Sequence, residues 1–491
     1  MSLDPRTPVV VGVGQLTHRE GDAPSPAELL AIAARLAADD AGAPGLLSAL
    51  DSIRVVGLLS WRYRDAGRAV AGLLGASPTH TAYTGNGGSY PQVLVNDAAE
   101  DISTGRCDVV LVGGAEAWRT RMAYKAKGER PAWPVQGDDV PLVATSYPDV
   151  AMRADDEVRV GLDRPAHVYP FFEPALRTAA RRTVAEHEDA LARLWAGFSA
   201  VAAGNPYAWS RTAADAATIG TPSAANRMVC WPYPKLMNSN NAVEQAAAVI
   251  VCSVEAAQRY GVPRDQWVFL HAGAEAKDTD SLAARPSYTT SAAIAAAGSA
   301  VLGLAGLGLD DLGAIDLYSC FPSAVQVAAA SLGLPLFDGP LTVTGGLSFA
   351  GGPWNNYSTH AIATMVDVVR RTREPGLVTA NSGYLTKHSM GVYAATPPVQ
   401  GFRRVSAQAV ADAAGTTPVD DDHEGPAVLE TWSVQHDREG APTLASLALR
   451  TPSGHRTLGR SEDEQLLKAL VTDDLAGRAA RVIGGRTVHL D

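Results

Sequence analysis

The sequence predicts an α/β protein with an inserted segment and a separate β-rich module at its end. Strand-type apolar runs alternate with helical patterns, and a segment rich in Arg, Asp, Trp, Tyr and Pro interrupts the alternation between residues 117 and 232. After about residue 398 the apolar residues recur at every second position. A chain of 491 residues has room for about two to four domains.

Apolar runs bounded by turn residues predict buried strands at Pro8–Val13, Ile53–Ser60 and Asp108–Val112. A helical pattern at Gln92–Ser103 ends just before the third run. Strands that alternate with helices in this way form a sheet covered on both faces. We therefore predict a largely parallel sheet in this part of the chain.

The helix between the first two strands has a clear start signal. Ser25 suits the N-cap, Pro26 suits the first helical position, and Glu28 completes a capping box. Gly42 ends the helical pattern. These positions predict a helix over residues 26–41.

The segment from residue 117 to 232 predicts a cap with one long helix around Glu173–Ala203. The stretch Asn241–Tyr260 (NAVEQAAAVIVCSVEAAQRY) favours another helix, followed by a strand at Trp267–Ala272. Strand–helix units then resume with a helix over Ser291–Gly306. Units of the same kind on both sides of the cap indicate two similar halves.

Charge and composition argue against several functions. The chain has 41 Lys+Arg, 52 Asp+Glu and a net charge of −11, which disfavours general binding to nucleic acid or an anionic membrane. One membrane-like window, Ala292–Leu309, is mostly Ala and Gly and predicts a tightly packed internal helix. Four cysteines, at 107, 230, 252 and 320, lack metal-site or disulfide spacing, so we expect no metal and a reducing cytoplasm.

The last stretch predicts a small β-barrel with one helix. AVLETWSVQ and TLASLALRT alternate in polarity, DREG and TPSG are turn sequences, and SEDEQLLKAL is helical. An oligonucleotide-binding (OB-like) barrel has this pattern, but residues 398–491 contain 10 Lys/Arg and 14 Asp/Glu. That charge is unfavourable for nucleic acid, so we predict a structural module or one that docks a protein partner.

Four short segments carry the strongest signal. They are Thr84–Gln92 (TGNGGSYPQ), Ala305–Ser323 (AGLGLDDLGAIDLYSCFPS), Gly345–Pro353 (GGLSFAGGP) and Ala380–His388 (ANSGYLTKH). In this order, and with I-x-x-G-x-x-D-V-V-x-x-G-G-x-E after the first, the chain resembles the thiolase superfamily over about residues 7–397. In particular it resembles thiolase-like acetyl-CoA acetyltransferases with an extra C-terminal domain, which are related to the sterol-carrier-protein thiolases.

The resemblance implies a thiolase fold of two βαβαβαββ halves in five αβαβα layers. Two helices would lie between the sheets, which would explain the small residues at Gln92–Ser103 and Ser323–Leu332. The predicted domains are an N-terminal half (residues 1–117 and 234–276), a cap (118–233), a C-terminal half (277–397) and an additional OB-like β-barrel (398–491).

The resemblance also implies reversible Claisen condensation of acyl-CoA thioesters. That reaction uses a thiolate at a helix N-terminus, a second acid/base and donors for the thioester oxyanions. Here glycines and amides replace the expected Cys-x-Ser/Thr-Gly, Gly-His-Pro and Cys-x-Gly motifs. The cysteine of the first motif is replaced by Gly88 or, with a shift of one residue, by Gly87. The second motif reads Gly351-Gly352-Pro353, and the third reads Asn381-Ser382-Gly383.

The polar residues that remain in these segments suggest an active site with an altered set of functional groups. Cys320, in Tyr-Ser-Cys-Phe, occupies the cysteine of a His-Asp-Cys-Phe variant, where the resemblance implies an acid/base thiol. The catalytic candidates are Cys320, His360 and His388. The alternative is that these residues are buried and serve only in packing. The substrate-binding candidates are Asn86, Gly87, Gly88, Ser89, Met237, Asn238, Gly351, Gly352, Asn381 and Gly383.

Two further hypotheses concern the ligand. The backbone N–H groups of Gly88 and Gly383 would form an oxyanion hole, and Ser89 is considered as a replacement nucleophile. Basic residues of the cap would meet the CoA phosphates, or they form an ordinary solvated helix face. This basic set comprises Lys125, Lys127, Arg177, Arg181 and Arg182.

We therefore predict a cytoplasmic thiolase-like protein of acyl or lipid metabolism that binds acyl-CoA or a related acyl thioester, with no cofactor besides this ligand. The retained polar groups favour an enzyme of acyltransferase type with a non-standard site. It would catalyse a Claisen or retro-Claisen reaction without an acyl-cysteine, or transfer an acyl group to another nucleophile. The alternative is a non-catalytic thioester-binding protein or a complex subunit that docks through the barrel.

Overall fold

The first part of the chain alternates strands and helices, as predicted. The computed structural model describes residues 3–143, 147–484 and 486–490. In the first part it has β1 (Pro8–Thr17), α1 (Pro26–Asp40), β2 (Ser52–Val55), α2 (Ala66–Leu74), β3 (His80–Tyr83), α3 (Tyr90–Ser103) and β4 (Val109–Ala117).

The predicted start of α1 is confirmed. The Ser25 hydroxyl accepts a hydrogen bond from the Glu28 amide, and the Ser25 amide donates to the Glu28 carboxylate at 2.8 Å. Because both ends of the capping box are satisfied, the chain enters the helix at one fixed residue. The helix ends before Gly42, whose φ of 63° lies in the left-handed region.

The cap differs from its predicted form. The expected long helix is two helices, because the chain turns at Arg181 (φ 53°) and Thr183 begins a second capping box with Glu186. The elements of the cap are α4 (Trp118–Ala126), α5 (Asp155–Arg159), α6 (Pro165–Val168), α7 (Glu173–Ala179), α8 (Val184–Gly204), α9 (Ala216–Gly220), β5 (Met228–Trp231) and β6 (Tyr233–Pro234).

The rest of the α/β body follows the cap. Its elements are β7 (Glu244–Ser253), α10 (Val254–Arg259), β8 (Val268–Lys277), α11 (Ala292–Ala305), β9 (Ala314–Asp316), α12 (Pro322–Leu332), α13 (Gly346–Phe349), α14 (Tyr357–Thr372), β10 (Gly376–Ser382), β11 (Lys387–Ala394), β12 (Arg403–Ser406) and α15 (Gln408–Asp412). The apolar window at 292–309 is the internal helix α11, and no helix in the described residues has the length and apolar character to span a bilayer.

The predicted helix at Asn241–Tyr260 is wrong. Most of that stretch is β7, fully buried and paired antiparallel with both β1 and β4, and only Val254–Arg259 is helical. The alanines 246–248 favour a helix in isolation, but in the sheet they leave room for α1, α3 and α14, which pack on this strand. The buried tertiary environment therefore overrides local helix propensity.

The N-terminal strands β1–β4 run in one direction, as predicted, because β2 pairs in parallel with β3 and β4, and β1 and β4 are both antiparallel to β7. The complete sheet, which also contains β7 and β11, is mixed. Its strand order is β3-β2-β4-β7-β1-β8-β11-β10-β9, with β12 alongside β8. Pairs β2–β3, β2–β4, β9–β10 and β8–β12 are parallel, whereas β7 and β11 pair antiparallel with both neighbours. The two halves meet where β1 pairs with β8 at Val9–Phe269 and Val10–Val268.

Two helices lie between strands of the two halves. They are α3 and α14, each of which contacts β1, β4, β7, β8, β10 and β11. The first was predicted, but α12, predicted from Ser323–Leu332 as the second, packs on α7, α8 and α11. Its small residues are buried against helices, which produces the same sequence pattern as burial between sheets.

The C-terminal module is a closed five-stranded barrel. It contains β13 (Gly425–His436), β14 (Pro442–Arg450), β15 (Arg456–Ser461), α16 (Glu464–Thr472), β16 (Ala479–Ile483) and β17 (Thr487–Leu490). The order β14-β15-β17-β16-β13 closes because β13 also pairs with β14. Strand β5 of the cap extends this sheet by pairing Trp231 with Val434, so the barrel is attached to the cap through backbone hydrogen bonds.

Candidate functional site

Segments from both halves and from the cap surround a cavity of about 290 Å³. Its core side, contributed by the two halves and the adjoining segment 238–241, consists of Asn86, Gly87, Gly88, Asn238, Ser239, Asn241, Tyr318, Cys320, Phe321, Leu347, Trp354, Asn355, Asn381, Ser382 and Gly383. Its cap side consists of Met152, Arg164, Pro165, Ala166 and Tyr169. The core side is rich in amides and glycines, and the cap side is mainly apolar.

The glycine-rich loop before α3 is held by polar side chains from the C-terminal half. The Gly87 amide donates to Asn355 Oδ1 at 3.0 Å, and the Ser89 amide donates to the Ser382 hydroxyl at 2.7 Å. Ser382 Oγ also lies 2.7 Å from Ser89 Oγ. The amides of Gly88 and Gly383 make no hydrogen bond within the described part of the chain, so both are free for a ligand.

The space that a side chain at position 88 would need is occupied by Tyr318 and Asn381. A Cβ on this residue would lie 2.6 Å from the Tyr318 hydroxyl oxygen and 2.7 Å from the Asn381 carbonyl oxygen. One of these atoms belongs to the backbone of β10 and cannot rotate away. Position 88 therefore has no room for any side chain while Tyr318 keeps this position.

Cys320 lies between β9 and α12 and is 6% exposed. Burial raises the pKa of its thiol to about 12, although its contact with the Tyr169 hydroxyl works in the opposite direction. The thiol is therefore protonated near pH 7, which suits a proton donor and not a thiolate nucleophile.

Tyr169 joins the two sides of the cavity. Its ring stacks on Phe321 with centroids 4.6 Å apart, and its hydroxyl accepts from Asn381 Nδ2 at 3.0 Å. The same hydroxyl contacts the carbonyl oxygen of Gly383 at 3.3 Å. Burial, followed by the neighbouring Cys320, raises the pKa of Tyr169 well above its ordinary value, so the phenol is neutral and donates hydrogen bonds.

Seven of the predicted residues border the cavity: Asn86, Gly87, Gly88, Asn238, Cys320, Asn381 and Gly383. Four others, Ser89, Met237, Gly351 and Gly352, do not belong to its lining. Ser89 is buried against Ser382, Met237 is buried, and the GGP loop packs elsewhere. A Cβ on Gly351 would lie 2.1 Å from Gln245 Oε1, and the Gly352 carbonyl accepts from Asn241 Nδ2, so these glycines allow close packing.

The two predicted histidines lie outside the cavity lining. His360 Nδ1 is 2.8 Å from Gln15 Oε1, and burial lowers the pKa of His360 to about 3, so this imidazole is neutral. His388 pairs with Asn381 across β10 and β11, and its Nε2 is 3.8 Å from the Asp278 carboxylate. Burial alone would raise the pKa of the Asp278 carboxyl, but the neighbouring His388 and Arg285 hold this pKa below its usual range.

Some residues of the cavity lining carry no signal in the sequence. Arg164 and Tyr169 reach the cavity from irregular parts of the cap, and Trp354 follows the GGP loop with a φ of 47°. Arg177, predicted to meet CoA phosphates, is instead buried and bonded to Asp474 of the barrel at 2.6 Å. Among the described residues no group of three or more His, Cys, Asp or Glu side chains is placed to hold a metal ion.

The fold is that of a thiolase. The dimeric peroxisomal thiolase of Saccharomyces cerevisiae superposes with a TM-score of 0.55 at 14% identity, over 80% of this chain and 98% of that one. An aldolase named Ltp2-ChsH2(DUF35) superposes with a TM-score of 0.61 at 21% identity, over 79% and 98% of the two chains. At these identities the likeness defines the fold alone.

A more specific match identifies the family. The crystal structure of a monomeric SCP2-thiolase-like protein type 1 (STLP1) from Mycobacterium smegmatis is 34% identical, covers 100% of both chains and gives a TM-score of 0.85. Residues 407–485 match the family described as the thiolase-like protein type 1 additional C-terminal domain. The chain belongs to the type 1 SCP2-thiolase-like proteins. No curated protein matches its sequence.

Proposed function

We propose that the protein binds an acyl-CoA, or a related acyl thioester, with the thioester carbonyl in this cavity and acts on it without forming an acyl-cysteine. The observation that carries the proposal is the meeting of Gly88, Cys320, Asn381 and Gly383 around one cavity. These residues come from separate segments of both halves, and they combine free amides with a neutral thiol.

The chemistry follows from the protonation states. An enolate of the thioester would place its oxygen near the amides of Gly88 and Gly383, which stabilise negative charge without rearranging. In retro-aldol cleavage of a β-hydroxyacyl thioester, the bond between the α and β carbons would break as the β-hydroxyl releases its proton to solvent, and the electron pair of that bond would form the enolate. The neutral Cys320 thiol would then protonate the enolate carbon, and the thiolate would take up the proton that the hydroxyl released. In reverse, the Cys320 thiolate would remove a proton from this carbon, which is the step that deuterium uptake reports. The Tyr169 hydroxyl next to that sulphur is placed to stabilise the thiolate while it exists.

This scheme suits cleavage or formation of a carbon–carbon bond next to the thioester. One protein of the same fold is named an aldolase, so proteins of this fold are not restricted to thiolase condensation. Acyl transfer to a cysteine is disfavoured because position 88 has no room for a side chain. We therefore prefer a non-covalent retro-Claisen or aldol-type reaction to ordinary thiolase turnover.

The first experiment measures exchange of the protons on the carbon next to the thioester. The protein is incubated with acetyl-CoA, butanoyl-CoA and octanoyl-CoA in D₂O, and mass spectrometry follows deuterium uptake. We expect uptake by the native protein and a fall of about 10²–10⁴-fold in Cys320→Ala, the usual contribution of one acid/base group. Cys107→Ala, a half-buried cysteine outside the cavity, is the matched control and should leave the rate unchanged.

The alternative is a non-catalytic thioester-binding subunit. Its supporting observation is the Tyr318 hydroxyl, which occupies the space where a catalytic side chain at position 88 would stand. Binding of acyl-CoA without deuterium uptake would favour this alternative, with the barrel free to dock a partner. Failure of all three thioesters to bind, measured by calorimetry, would contradict both functions.

A further inference from the structure

A thin part of the cap separates the barrel from the cavity. We call residues 160–172 the wall segment. On one face it supplies Arg164, Pro165, Ala166 and Tyr169 to the cavity lining. On the other face its backbone carbonyls at Val160, Gly161 and Phe171 meet the barrel.

Three barrel side chains hold these carbonyls. Thr431 Oγ1 donates to the Phe171 carbonyl at 2.5 Å, and Gln435 Nε2 donates to the Gly161 carbonyl at 2.8 Å. Ser446 Oγ donates to the Val160 carbonyl at 2.7 Å. Thr431 and Ser446 are fully buried, so water cannot replace the bonds that they make.

Apolar packing brings the same surfaces together. Ala448 and Leu458 of the barrel belong to the apolar core that contains Phe171 and Phe172 of the wall segment. Gly161 has a φ of 90°, and a Cβ there would lie 2.6 Å from Leu444 Cδ2. Barrel and wall segment are therefore in direct contact, and no other layer separates the barrel from the cavity wall.

The wall segment has little stability of its own. Its regular parts are the four-residue helix α6 and the four-residue 3₁₀ turn Tyr169–Phe172. Segments this short do not persist in isolation, because nucleation of a helix costs more than its few hydrogen bonds return. From the core side it is anchored by Ser323 Oγ, which donates to the Tyr169 carbonyl at 2.8 Å.

We propose that the barrel positions the cavity wall, with Thr431, Gln435 and Ser446 as positioning residues that hold Tyr169 against Cys320 and Asn381. The additional domain is then an internal part of the site and not solely a docking module. This role is independent of which ligand the cavity takes. It requires only that the hydrogen bonds from the barrel to one face of the wall segment keep the side chains on its other face, which line the cavity, in fixed positions.

The test uses the Cys320 thiol as a reporter and needs no ligand. Native protein and variants are treated with N-ethylmaleimide, and peptide mass spectrometry gives the labelling rate of each cysteine. Thr431→Val leaves the buried Phe171 carbonyl without its donor, so we expect Cys320 labelling to rise at least about fivefold. Thr431→Ser keeps the hydroxyl and should restore the native rate.

Two controls separate this effect from general loosening. Thr443 Oγ1, at an exposed position of β14, donates to the Gln435 carbonyl at 3.2 Å, so Thr443→Val makes the same substitution at a barrel hydroxyl that does not bond to the wall segment and should leave the labelling of Cys320 unchanged. Cys252, buried in β7, reports global unfolding and should stay unlabelled in every variant. If Thr431→Val does not fold, Gln435→Leu makes the same test at Gly161.

The role of Tyr169 is tested in a double-variant cycle. If the barrel acts through this residue, Thr431→Val should change Cys320 labelling less in a Tyr169→Phe background than in the native one. Native labelling in both Thr431→Val and Gln435→Leu, or an equal rise in Thr443→Val, would overturn the proposal. Failure of acyl-CoA binding would leave these labelling results intact and would count against the proposed function alone.

Discussion

The two sides of the cavity are built on different principles. The core side uses glycines, amides and buried polar side chains in fixed hydrogen bonds, anchored in the strands and long helices of the two halves. The cap side uses short irregular pieces with an apolar surface, supported from behind by the barrel. The polar groups of the cavity therefore lie mainly on the side anchored in long strands and helices, whereas most of the apolar wall lies on the side that contacts the barrel.

The largest expected effect comes from filling the glycine position on the core side. Gly88→Cys places a Cβ 2.6 Å from the Tyr318 hydroxyl oxygen and 2.7 Å from the Asn381 carbonyl oxygen, which is shorter than van der Waals contact. We expect a loss of about 3 kcal/mol in the free energy of unfolding, the upper end for overpacking, measured by urea unfolding. Gly72→Cys, at a glycine of α2 with open space around it, is the control and should cost less. A native-like stability for Gly88→Cys would mean that Tyr318 yields readily, and the core side would not be rigid.

The next effect concerns the cap side and depends on pH. Burial raises the pKa of Glu157, just before the wall segment, to about 7, against hydrogen bonds from the amides of Leu282 and Ala154. Since the folded state holds the proton more tightly than the unfolded state, this group stabilises the protein below about pH 4.5, and the contribution is lost as pH rises through 7. The loss is about 3 kcal/mol.

Thermal melts between pH 5 and pH 8 check this assignment. The native protein should melt at a lower temperature at pH 8, and Glu157→Gln, which cannot ionise, should flatten the dependence. Glu116 has the same raised pKa of about 7 in the N-terminal half, so Glu116→Gln is the matched variant on the core side. If only Glu116→Gln changes the dependence of the melting temperature on pH, the pH sensitivity belongs to the core side, and the cap side is not the less stable of the two.

A smaller effect is expected at the residue that joins the two sides. Tyr169→Phe leaves Asn381 Nδ2 and the Gly383 carbonyl without the hydroxyl, at a cost of about 1–2 kcal/mol measured by urea unfolding. Tyr124→Phe removes an exposed hydroxyl bonded to Asp22 and should be close to neutral. Equal stability of the two variants would show that the two sides are not coupled through Tyr169.

The smallest effect is expected at Tyr318. Its hydroxyl makes no hydrogen bond within the described residues, so Tyr318→Phe should change stability by less than about 0.5 kcal/mol. The same change removes one of the two contacts at position 88, so Gly88→Cys should cost less in the Tyr318→Phe background. Strictly additive costs in urea unfolding would contradict the proposed competition between these two residues.

Much of the site was predictable because it lies in short motifs. The segments around Gly88, Cys320 and Asn381 border the cavity, and the start of α1 follows directly from Ser25, Pro26 and Glu28. These features depend on residues close together in the chain, where local hydrogen bonds decide the backbone path. The Thr183–Glu186 capping box was also visible in the sequence and would have divided the predicted long helix.

Other features could not be read from the sequence. Tyr169 and Arg164 reach the cavity from an irregular segment that is hydrogen-bonded to the barrel, and no local pattern records a contact made across more than 250 residues. His360 carries a plausible chemical group but is directed at Gln15, away from the cavity. Side-chain direction at such positions depends on packing between distant elements.

The sequence by itself determined the alternating α/β build, the barrel and the glycine and amide character of the site, because periodicity and motif spacing are local properties. The tertiary structure decided that Asn241–Tyr260 is mostly a central strand, that α14 lies between the halves, and that Tyr318 fills the space above Gly88. Burial between distant segments decided each of these, since it can reverse a local preference and sets which side chains meet.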